Sequence, residues 1–336
     1  MKKIIFVPFI GAFGGVERLV LSLARRLYKR GVNCTVVCFR ETIGLAGYAD
    51  WPVEIVELKP PRNSILEGWY LNRYLRQACG EVASSVLIFD LNGAFYAGMF
   101  SPSGYSLHLT DPPSLLPTDI SKYAPSVGSG SLLSLHGLRT EVVHRLNRRG
   151  VRKAKHVIAM TNRIRGEIRQ RYGVDAEIIR PGIELSKQRK TVLADPKNFH
   201  FLSVSRLEEN KRLDWVINSL NQMECSSPPL SGRVNWTLDI VGSGSKEQEL
   251  KGQVNDLGLN DRVVFHGRLS DEELEGLYEE ANIFLMPAVQ GYGLPALEAL
   301  SRGVPVVLHR DSGVSEILEG SPWVSIVSDN DDVLEK

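Results

Sequence analysis

The chain has 336 residues, of which 43% are hydrophobic and 24% are charged, a balance typical of a soluble globular protein. This composition excludes wholesale disorder, a collagen-like repeat and a small domain held together by disulfides. Residues 1–183 carry 25 Lys and Arg against 14 Asp and Glu, whereas residues 184–336 carry 15 against 25. Two halves of opposite charge predict two domains with different surfaces.

The first predicted element is a β-strand at residues 3–7, although the N-terminus also resembles a signal peptide. Lys2 and Lys3 precede an apolar run, but Pro8 interrupts that run and no A-x-A cleavage site follows. No apolar stretch reaches the roughly 18 residues that a membrane-spanning helix needs. These features predict a cytoplasmic protein, and they leave peripheral contact with the inner face of a membrane open.

The first half of the chain then alternates between helical and strand-like patterns. After a loop that contains two glycines, apolar residues recur at helical spacing over residues 16–27, and Gly31 ends the predicted helix. Further strands are predicted at residues 34–39, 53–58, 86–89, 105–109, 156–160 and 176–179.

A polar stretch without periodicity, residues 184–198, separates this series from a second one. The second half has predicted strands, again alternating with helical patterns, at residues 199–204, 236–241, 262–265, 283–286 and 304–308. Alternation of this kind predicts parallel sheets covered by helices on both faces. We therefore expect two doubly wound, Rossmann-like domains, 1–183 and 184–336, that face a central cleft and bind ligands at the carboxyl ends of their strands.

Two predicted loops have residues suited to binding phosphate. Gly14 and Gly15 open a helix after the first strand, where backbone N–H groups can face an anion, although glycines at such turns also serve steric needs. Arg206 and Lys211 follow the first strand of the second domain, where both cations can approach one diphosphate. The alternative for these two cations is ordinary solvated surface charge.

The segment Gln-Gly-Tyr-Gly-Leu-Pro-Ala-Leu-Glu follows the predicted strand at 283–286 and opens a helix. Pro295 suits a first helical turn, so N–H groups near Gly293 and Leu294 would face an anion at the helix N-terminus. Glu298 lies one turn further along, where its carboxylate could accept hydrogen bonds from a ribose diol. Its alternative role is that of a favourable acid in the first helical turn.

Taken in order, these motifs resemble those of the family 4 (group 1) retaining glycosyltransferases, which have the GT-B fold. The resemblance covers nearly the whole chain. It rests on the Gly-Gly-Val-Glu-Arg turn, Arg206 with Lys211, Val-Gly-Ser-Gly at 241–244, Phe-His-Gly-Arg-Leu-Ser at 265–270, Gly-Leu-Pro-Ala-Leu-Glu at 293–298 and Gly-Val-Pro-Val at 303–306.

The resemblance implies a retaining, metal-independent hexosyltransferase that uses a UDP-sugar or a GDP-sugar and needs no cofactor. The acceptor would be a carbohydrate or a lipid-linked sugar, in polysaccharide or glycolipid biosynthesis. Arg206 and Lys211 would neutralise the donor diphosphate, and Glu298 would bind the ribose. The loops that contain Gly242 and Arg268 would border the base.

In the N-terminal domain the resemblance implies a histidine near the donor sugar. His108, at the end of the predicted strand 105–109, is the best match, and His136 is the alternative. Gln290 departs from the family pattern, because it stands where the family has the first of two glutamates that contact the sugar. The sequence also stops at Lys336, where family members usually add helices that cross back to the first domain.

Two further functions stay open at this point. Because Gln290 replaces a glutamate of the family, the chain could be a non-catalytic, donor-binding subunit of a synthase complex. A nucleotide-sugar epimerase of the same fold is the other alternative, although it would lack the Gly-Leu-Pro-x-x-Glu arrangement.

Residues 139–171 form a basic region, with eleven Lys and Arg against two acids, Glu141 and Glu167. No stacking aromatic residues interleave these charges, which disfavours nucleic acid as a partner. A solvated helical face, an anionic membrane surface and a lipid-diphosphate acceptor are the alternatives for this region. The acidic run at 329–332 is interpreted as solvated charge and not as a metal site.

Overall fold

The computed structural model describes residues 3–11, 14–49, 51–79, 86–100, 104–114, 133–183, 185, 198–226 and 235–328. The acidic run at 329–332 and the side chain of the alternative histidine, His136, lie outside the described residues. The chain separates into two compact units, residues 1–181 and 182–336.

The first unit is built around a parallel sheet. Its strands are β1 (Lys3–Phe6), β2 (Phe9–Ile10), β3 (Cys34–Cys38), β4 (Arg40–Glu41), β5 (Glu54–Glu57), β6 (Val86–Phe89), β7 (Ser106–Leu109), β8 (His156–Ala159) and β9 (Glu177–Ile178). Its helices are α1 (Gly15–Lys29), α2 (Ser64–Cys79), α3 (Asp90–Phe100), α4 (Leu133–Lys153) and α5 (Asn162–Tyr172). The main sheet has seven strands in the order β5-β3-β1-β6-β7-β8-β9, and β2 pairs with β4 beside it.

The second unit repeats this architecture. Its strands are β10 (Asn198–Val204), β11 (Asn235–Val241), β12 (Val263–Gly267), β13 (Ile283–Met286), β14 (Val306–His309) and β15 (Val324–Val327). Its helices are α6 (Leu213–Ser226), α7 (Glu247–Asp256), α8 (Asp271–Glu280), α9 (Leu294–Ser301) and α10 (Ser315–Leu318). The six strands form one parallel sheet in the order β12-β11-β10-β13-β14-β15.

Local sequence explains how these elements begin and end. At the start of α1, the Glu17 carboxylate accepts a hydrogen bond from the Gly14 N–H (3.0 Å), which satisfies a backbone donor that the helix itself cannot. Gly31, with a φ of 71°, ends the helix in a conformation that favours glycine. In the second unit every other residue of β11 (Trp236, Leu238 and Ile240) is buried in the core.

The predicted parallel sheets are confirmed, but some boundaries differ. The strand predicted at 304–308 begins at Val306, because the Val304 N–H closes α9 by donating to the Ala299 carbonyl (3.0 Å) and Pro305 has no N–H to donate. The strand β15 and the two-residue strands β2 and β4 were not predicted, since such short segments have little periodicity.

Each sheet reverses its strand order at one place. In the first unit the chain moves outward from β1 to β3 and β5, and then returns to β6 on the other side of β1. In the second unit the same reversal lies between β10 and β13. In doubly wound sheets, the loops on either side of such a reversal border the crevice in which ligands bind.

Candidate functional site

The crevice of the second unit lies between the loops that follow β10 and β13, and direct contacts join the two loops. The Lys211 Nζ donates a hydrogen bond to the Gln290 Oε1 at 2.6 Å. Beside it, the Asn210 Nδ2 donates to the Val289 carbonyl and the Val289 N–H donates to the Asn210 carbonyl, both at 2.9 Å. Lys211 is only 8% exposed, so its ammonium group is held at a defined place.

Gly293 is the residue on which this arrangement depends sterically. It precedes α9 with a φ of 119°, a conformation that other residues rarely adopt. A Cβ at this position would lie 2.8 Å from the Gln290 Nε2 and 2.8 Å from the Met286 Cε. Leu294 and Pro295 then open α9. Because Pro295 has no N–H and the Ala296 N–H donates to the Gly293 carbonyl (3.2 Å), the N–H groups that the helix start offers beside Gln290 are those of Gly293 and Leu294.

A second pair of glycines brings the loops after β10 and β11 together. Gly242 has a φ of 131°, and a Cβ on it would lie 1.9 Å from the Ser205 carbonyl oxygen. A Cβ on Gly244 would lie 2.3 Å from the Leu207 carbonyl oxygen. Arg206 lies between these two contacts, and its exposed guanidinium pairs with no described residue.

Arg268 and Glu298 border the same crevice from other elements. The Gly242 N–H donates to the Gly267 carbonyl (2.7 Å), which places the exposed Arg268 beside the loop after β11, with its Nε 3.4 Å from the Ser243 Oγ. Glu298 is half-buried in α9, where the Tyr278 hydroxyl lies 3.4 Å from its Oε2. The structure therefore brings Lys211, Gln290 and Gly293 into contact. Arg206 follows β10, Arg268 follows β12 and Glu298 lies in α9.

In the first unit, Gly14 and Gly15 lie at the reversal between β1 and β6. Gly14 is packed against the Glu17 carboxylate, since a Cβ on it would lie 3.3 Å from the Glu17 Oε2. A Cβ on Gly15 would meet no described atom within 4 Å. A side chain at position 15 would therefore not clash with the described residues. The space that such a side chain would fill is open to a ligand.

His108 lies at the carboxyl end of β7 in a buried position. It is 7% exposed, its ring packs on Phe89 with 5.1 Å between ring centroids, and its Nε2 hydrogen-bonds to no described residue. Burial lowers the pKa of His108 to about 4. At neutral pH the ring is therefore uncharged, with one nitrogen that still lacks a partner.

Asp90 is a candidate that the sequence analysis missed. The strand β6 runs directly into α3 at this residue, which has a φ of 60° although it is not glycine. Its Oδ1 accepts hydrogen bonds from the Thr110 N–H (3.1 Å) and from the Thr110 hydroxyl. Burial, together with the nearby charge of Asp111, raises the pKa of Asp90 to about 7. Strained backbone and shifted ionisation are typical of functional sites, and the signal in the sequence was an acid directly after a buried strand.

The described residues show neither a metal site nor a membrane-spanning helix. They contain no group of three or more His, Cys, Asp or Glu side chains placed to hold a metal ion. Their helices include none that is both long and apolar enough to cross a membrane.

Family models match both units. Residues 13–187, more than half of the chain, match the model described as Glycosyltransferase Family 4, and residues 186–331 match the model described as Glycosyl transferases group 1. The chain belongs to the group 1, family 4 glycosyltransferases. The family predicted from the sequence motifs is thus confirmed.

Relatives of known name agree with this assignment. An uncharacterized glycosyltransferase of Haemophilus influenzae is 26% identical over 95% of this chain and 84% of its own length. A GDP-mannose-dependent alpha-(1-6)-phosphatidylinositol monomannoside mannosyltransferase of Mycolicibacterium smegmatis is 37% identical over 35% of this chain and 31% of its own length. In the first curated relatives that the chain matches, it spans only 29% to 41% of the relative's length.

Solved structures share the fold over the whole chain. WaaG, a glycosyltransferase involved in lipopolysaccharide biosynthesis, has a TM-score of 0.73 at 16% identity, over 100% of this chain and 89% of WaaG. Anabaena HepE in complex with UDP has a TM-score of 0.70 at 19% identity, over 99% of this chain and 88% of HepE. The fold class predicted from the sequence, paired doubly wound α/β domains of the GT-B type, is confirmed by these neighbours.

Proposed function

We propose that the chain transfers a hexosyl group, with retention, from a UDP-sugar or a GDP-sugar to a carbohydrate or lipid-linked acceptor in polysaccharide or glycolipid biosynthesis. One observation carries the proposal: the buried Lys211 is fixed by Gln290 beside the open N-terminus of α9, at the reversal of the second sheet. A cation and free N–H groups at one point form a site for the diphosphate of a donor. The UDP bound to HepE and the GDP-mannose dependence of the M. smegmatis relative support the two donor classes.

In this proposal each predicted residue has one role. Arg206 and Lys211 neutralise the diphosphate together with the N–H groups at Gly293 and Leu294. Glu298 accepts hydrogen bonds from the ribose. Gly242 and Arg268 border the base, Gly14 and Gly15 let the donor approach the first unit, and His108 contacts the donor sugar as a neutral ring.

The proposed chemistry is a front-face transfer that this site promotes by electrostatics. The bond between the anomeric carbon and the diphosphate oxygen breaks, and negative charge develops on that oxygen where Arg206 and Lys211 are held. The acceptor oxygen then bonds to the same face of the sugar, and its proton passes to the departing diphosphate. Preorganised cations are most effective in such a step, because they need not reorganise as the charge develops.

Gln290 favours one alternative function. Its amide is engaged with Lys211 and lies 3.1 Å from the Met286 sulfur. Because the residue is a glutamine, it also has no carboxylate to offer a donor sugar. A chain that binds a donor without transferring it, as a subunit of a synthase complex, is consistent with that arrangement. Release of nucleoside diphosphate by the isolated chain separates the two functions.

The proposal is tested first by a panel of UDP-sugars and GDP-sugars in thermal-shift assays. A donor that binds the folded chain raises its melting temperature, and we expect one nucleotide class to do so. The effective donor is then used to measure release of nucleoside diphosphate with and without EDTA. We expect the rate to be nearly unchanged by EDTA, because the side chains supply the neutralising charge.

Two results contradict this proposal. If no donor shifts the melting temperature, the crevice of the second unit does not bind nucleotide sugars. If the rate depends strictly on Mn²⁺ or Mg²⁺, the cationic side chains do not suffice for the diphosphate. We also infer that the protein acts in the cytoplasm, in peripheral contact with the inner face of a membrane.

A further inference from the structure

The helix α2 has an apolar surface that the rest of the chain leaves uncovered. Ile65, Leu66 and Trp69 are 65%, 40% and 43% exposed, which is unusual for three large apolar side chains on one helix. The core of the first unit does not need them, because Leu71 and Leu75 on the opposite side of α2 are buried. At about 100° per residue, the three exposed side chains fall within one narrow outward stripe.

Arginines flank these side chains, with Arg62 just before α2 and Arg73 and Arg76 in its second half. Arg62, Arg73 and Arg76 are exposed and form no ion pair with any described residue. The Arg73 guanidinium lies over the Trp69 ring, 5.4 Å from its centroid. We call these six residues the α2 patch.

No acid offsets the charge of the α2 patch along its helix. The single acid in α2, Glu67, is 2% exposed and accepts a hydrogen bond from the Tyr96 hydroxyl (2.8 Å) on the inner side. The outward stripe therefore combines apolar side chains with positive charge alone. This combination is complementary to anionic lipid headgroups above an acyl boundary, where tryptophan is also favoured.

The basic region at 139–171 is a weaker candidate for the same role. Several of its arginines already have acidic partners in the structure, as in Arg145 with Glu141 (2.9 Å), Arg163 with Glu167 (3.5 Å) and Arg165 with Asp175 (3.0 Å). Its described residues include one exposed large apolar side chain, Val142. Charge without an apolar stripe attracts a membrane but does not enter it.

We propose that the α2 patch docks the chain on anionic membranes. Trp69, Ile65 and Leu66 enter the boundary between headgroups and acyl chains, with α2 lying parallel to the surface. The arginines contact lipid phosphates on either side of them. The docking needs neither donor nor acceptor, so it stands or falls independently of the proposed transferase activity.

The experiment is vesicle flotation of the full chain with two kinds of vesicle, pure phosphatidylcholine and phosphatidylcholine with phosphatidylglycerol. We expect binding to the anionic vesicles and little to the neutral ones. Trp69→Ser should lower the vesicle partition about tenfold, because it removes the largest apolar contact. Arg73→Gln with Arg76→Gln should lower it about 25-fold, since each cation near the surface contributes about fivefold.

Matched variants separate docking from general effects. Trp323→Ser removes an equally exposed tryptophan (53%) from the second unit and should leave the partition unchanged. Arg148→Gln with Arg149→Gln removes two exposed charges from α4 and should lower it much less than the pair in α2. Trp69→Phe should keep most of the binding, and circular dichroism melts verify that every variant is folded.

Three outcomes overturn the proposal. In the first, the wild-type chain does not bind anionic vesicles. Trp69 would then serve a protein contact, either with a second copy of the chain or with another protein. The second is equal binding by wild type and Trp69→Ser. The third is an equal loss from the two arginine pairs, which would assign the attraction to the overall charge of the unit.

Discussion

The reversal points of the two sheets differ in the charged side chains that follow their strands. In the first half, where Lys and Arg exceed Asp and Glu, the reversal gathers the acids Glu17, Asp90 and Asp111. In the second half, where acids are in excess, Arg206 and Lys211 follow the first strand at the reversal. The net charge of each half therefore does not indicate which charged side chains lie at its reversal.

The physical reason is the short range of electrostatics in salt. Charges further apart than about 10 Å are largely screened, so a ligand in a crevice responds to the few charges that line it. In the proposed function, a diphosphate in the second unit therefore responds to Arg206 and Lys211 more than to the acidic surface of that unit.

The largest expected effect on activity comes from removing the Arg206 side chain at the reversal of the second sheet. Its side chain is exposed and has no described partner, so Arg206→Ala should not change the free energy of unfolding. We expect transition-state stabilisation to fall by about 2–4 kcal/mol, the usual contribution of one well-placed donor of charge. The measurement is kcat/KM for release of nucleoside diphosphate from the donor found by thermal shift.

Lys251→Ala provides the control for Arg206→Ala. Lys251 is an exposed cation of the same unit, paired with Glu247 on α7 away from the reversal. Near-normal kcat/KM in Arg206→Ala, or an equal loss in both variants, would remove Arg206 from the diphosphate site.

The second prediction concerns the acidic reversal and the pH dependence of stability. Because the pKa of Asp90 rises from 3.8 to about 7 on folding, the folded chain binds this proton more tightly than the unfolded chain. The resulting stability is fully present below pH about 4 and is lost as the pH rises through about 7. Asp90→Asn keeps an oxygen for Thr110, tolerates the positive φ and has no proton to lose.

We therefore expect Asp90→Asn to be more stable than the wild type above pH 7, by roughly 2–3 kcal/mol after allowance for the exposed part of the side chain. At pH 4 the two proteins should be about equally stable. Urea unfolding across this range measures the difference, and Asp261→Asn, at an exposed acid of the second unit, is the control. Parallel pH profiles for wild type and Asp90→Asn would show that Asp90 ionises normally.

The sequence was sufficient for features that depend on local patterns. Apolar periodicity identified the main strands, and Pro295 after Gly293 identified the start of α9. It was not sufficient for features produced by contacts between distant segments. Lys211 and Gln290 are 79 positions apart in the chain, and only the folded sheet brings their loops together.

Asp90 was missed for the same reason. Its position after a buried strand was visible in the sequence, but its raised pKa depends on burial by other elements and on the charge of Asp111. The neutral state of His108 likewise follows from burial, which the residue type alone does not indicate. The sequence thus indicated candidate positions, whereas the charge states of these residues needed the tertiary structure.

The smallest expected change in kcat/KM concerns Gln290, which stands at the reversal of the second sheet where the family has a glutamate. The Oε1 of Gln290 is taken by Lys211, and its Nε2 can only donate, so the amide has little left to accept a hydrogen bond from a sugar hydroxyl. Gln290→Glu keeps the contact with Lys211 as an ion pair and adds free lone pairs on the second oxygen. We expect kcat/KM to rise about fivefold, the gap of about 1 kcal/mol between neutral and charge-assisted hydrogen bonds.

Steady-state kinetics of both proteins with the best donor measures this change. Gln253→Glu is the matched control, because it adds the same charge to the same unit at an amide bonded to Asn218 on α6 (2.7 Å), away from the reversal. If Gln290→Glu alone raises kcat/KM, the carboxylate reaches the donor sugar. If kcat/KM is unchanged, position 290 does not contact the donor. A fall would mean that the new charge weakens the hold of Lys211 on the diphosphate, so that the neutral Gln290 preserves the positive charge of Lys211.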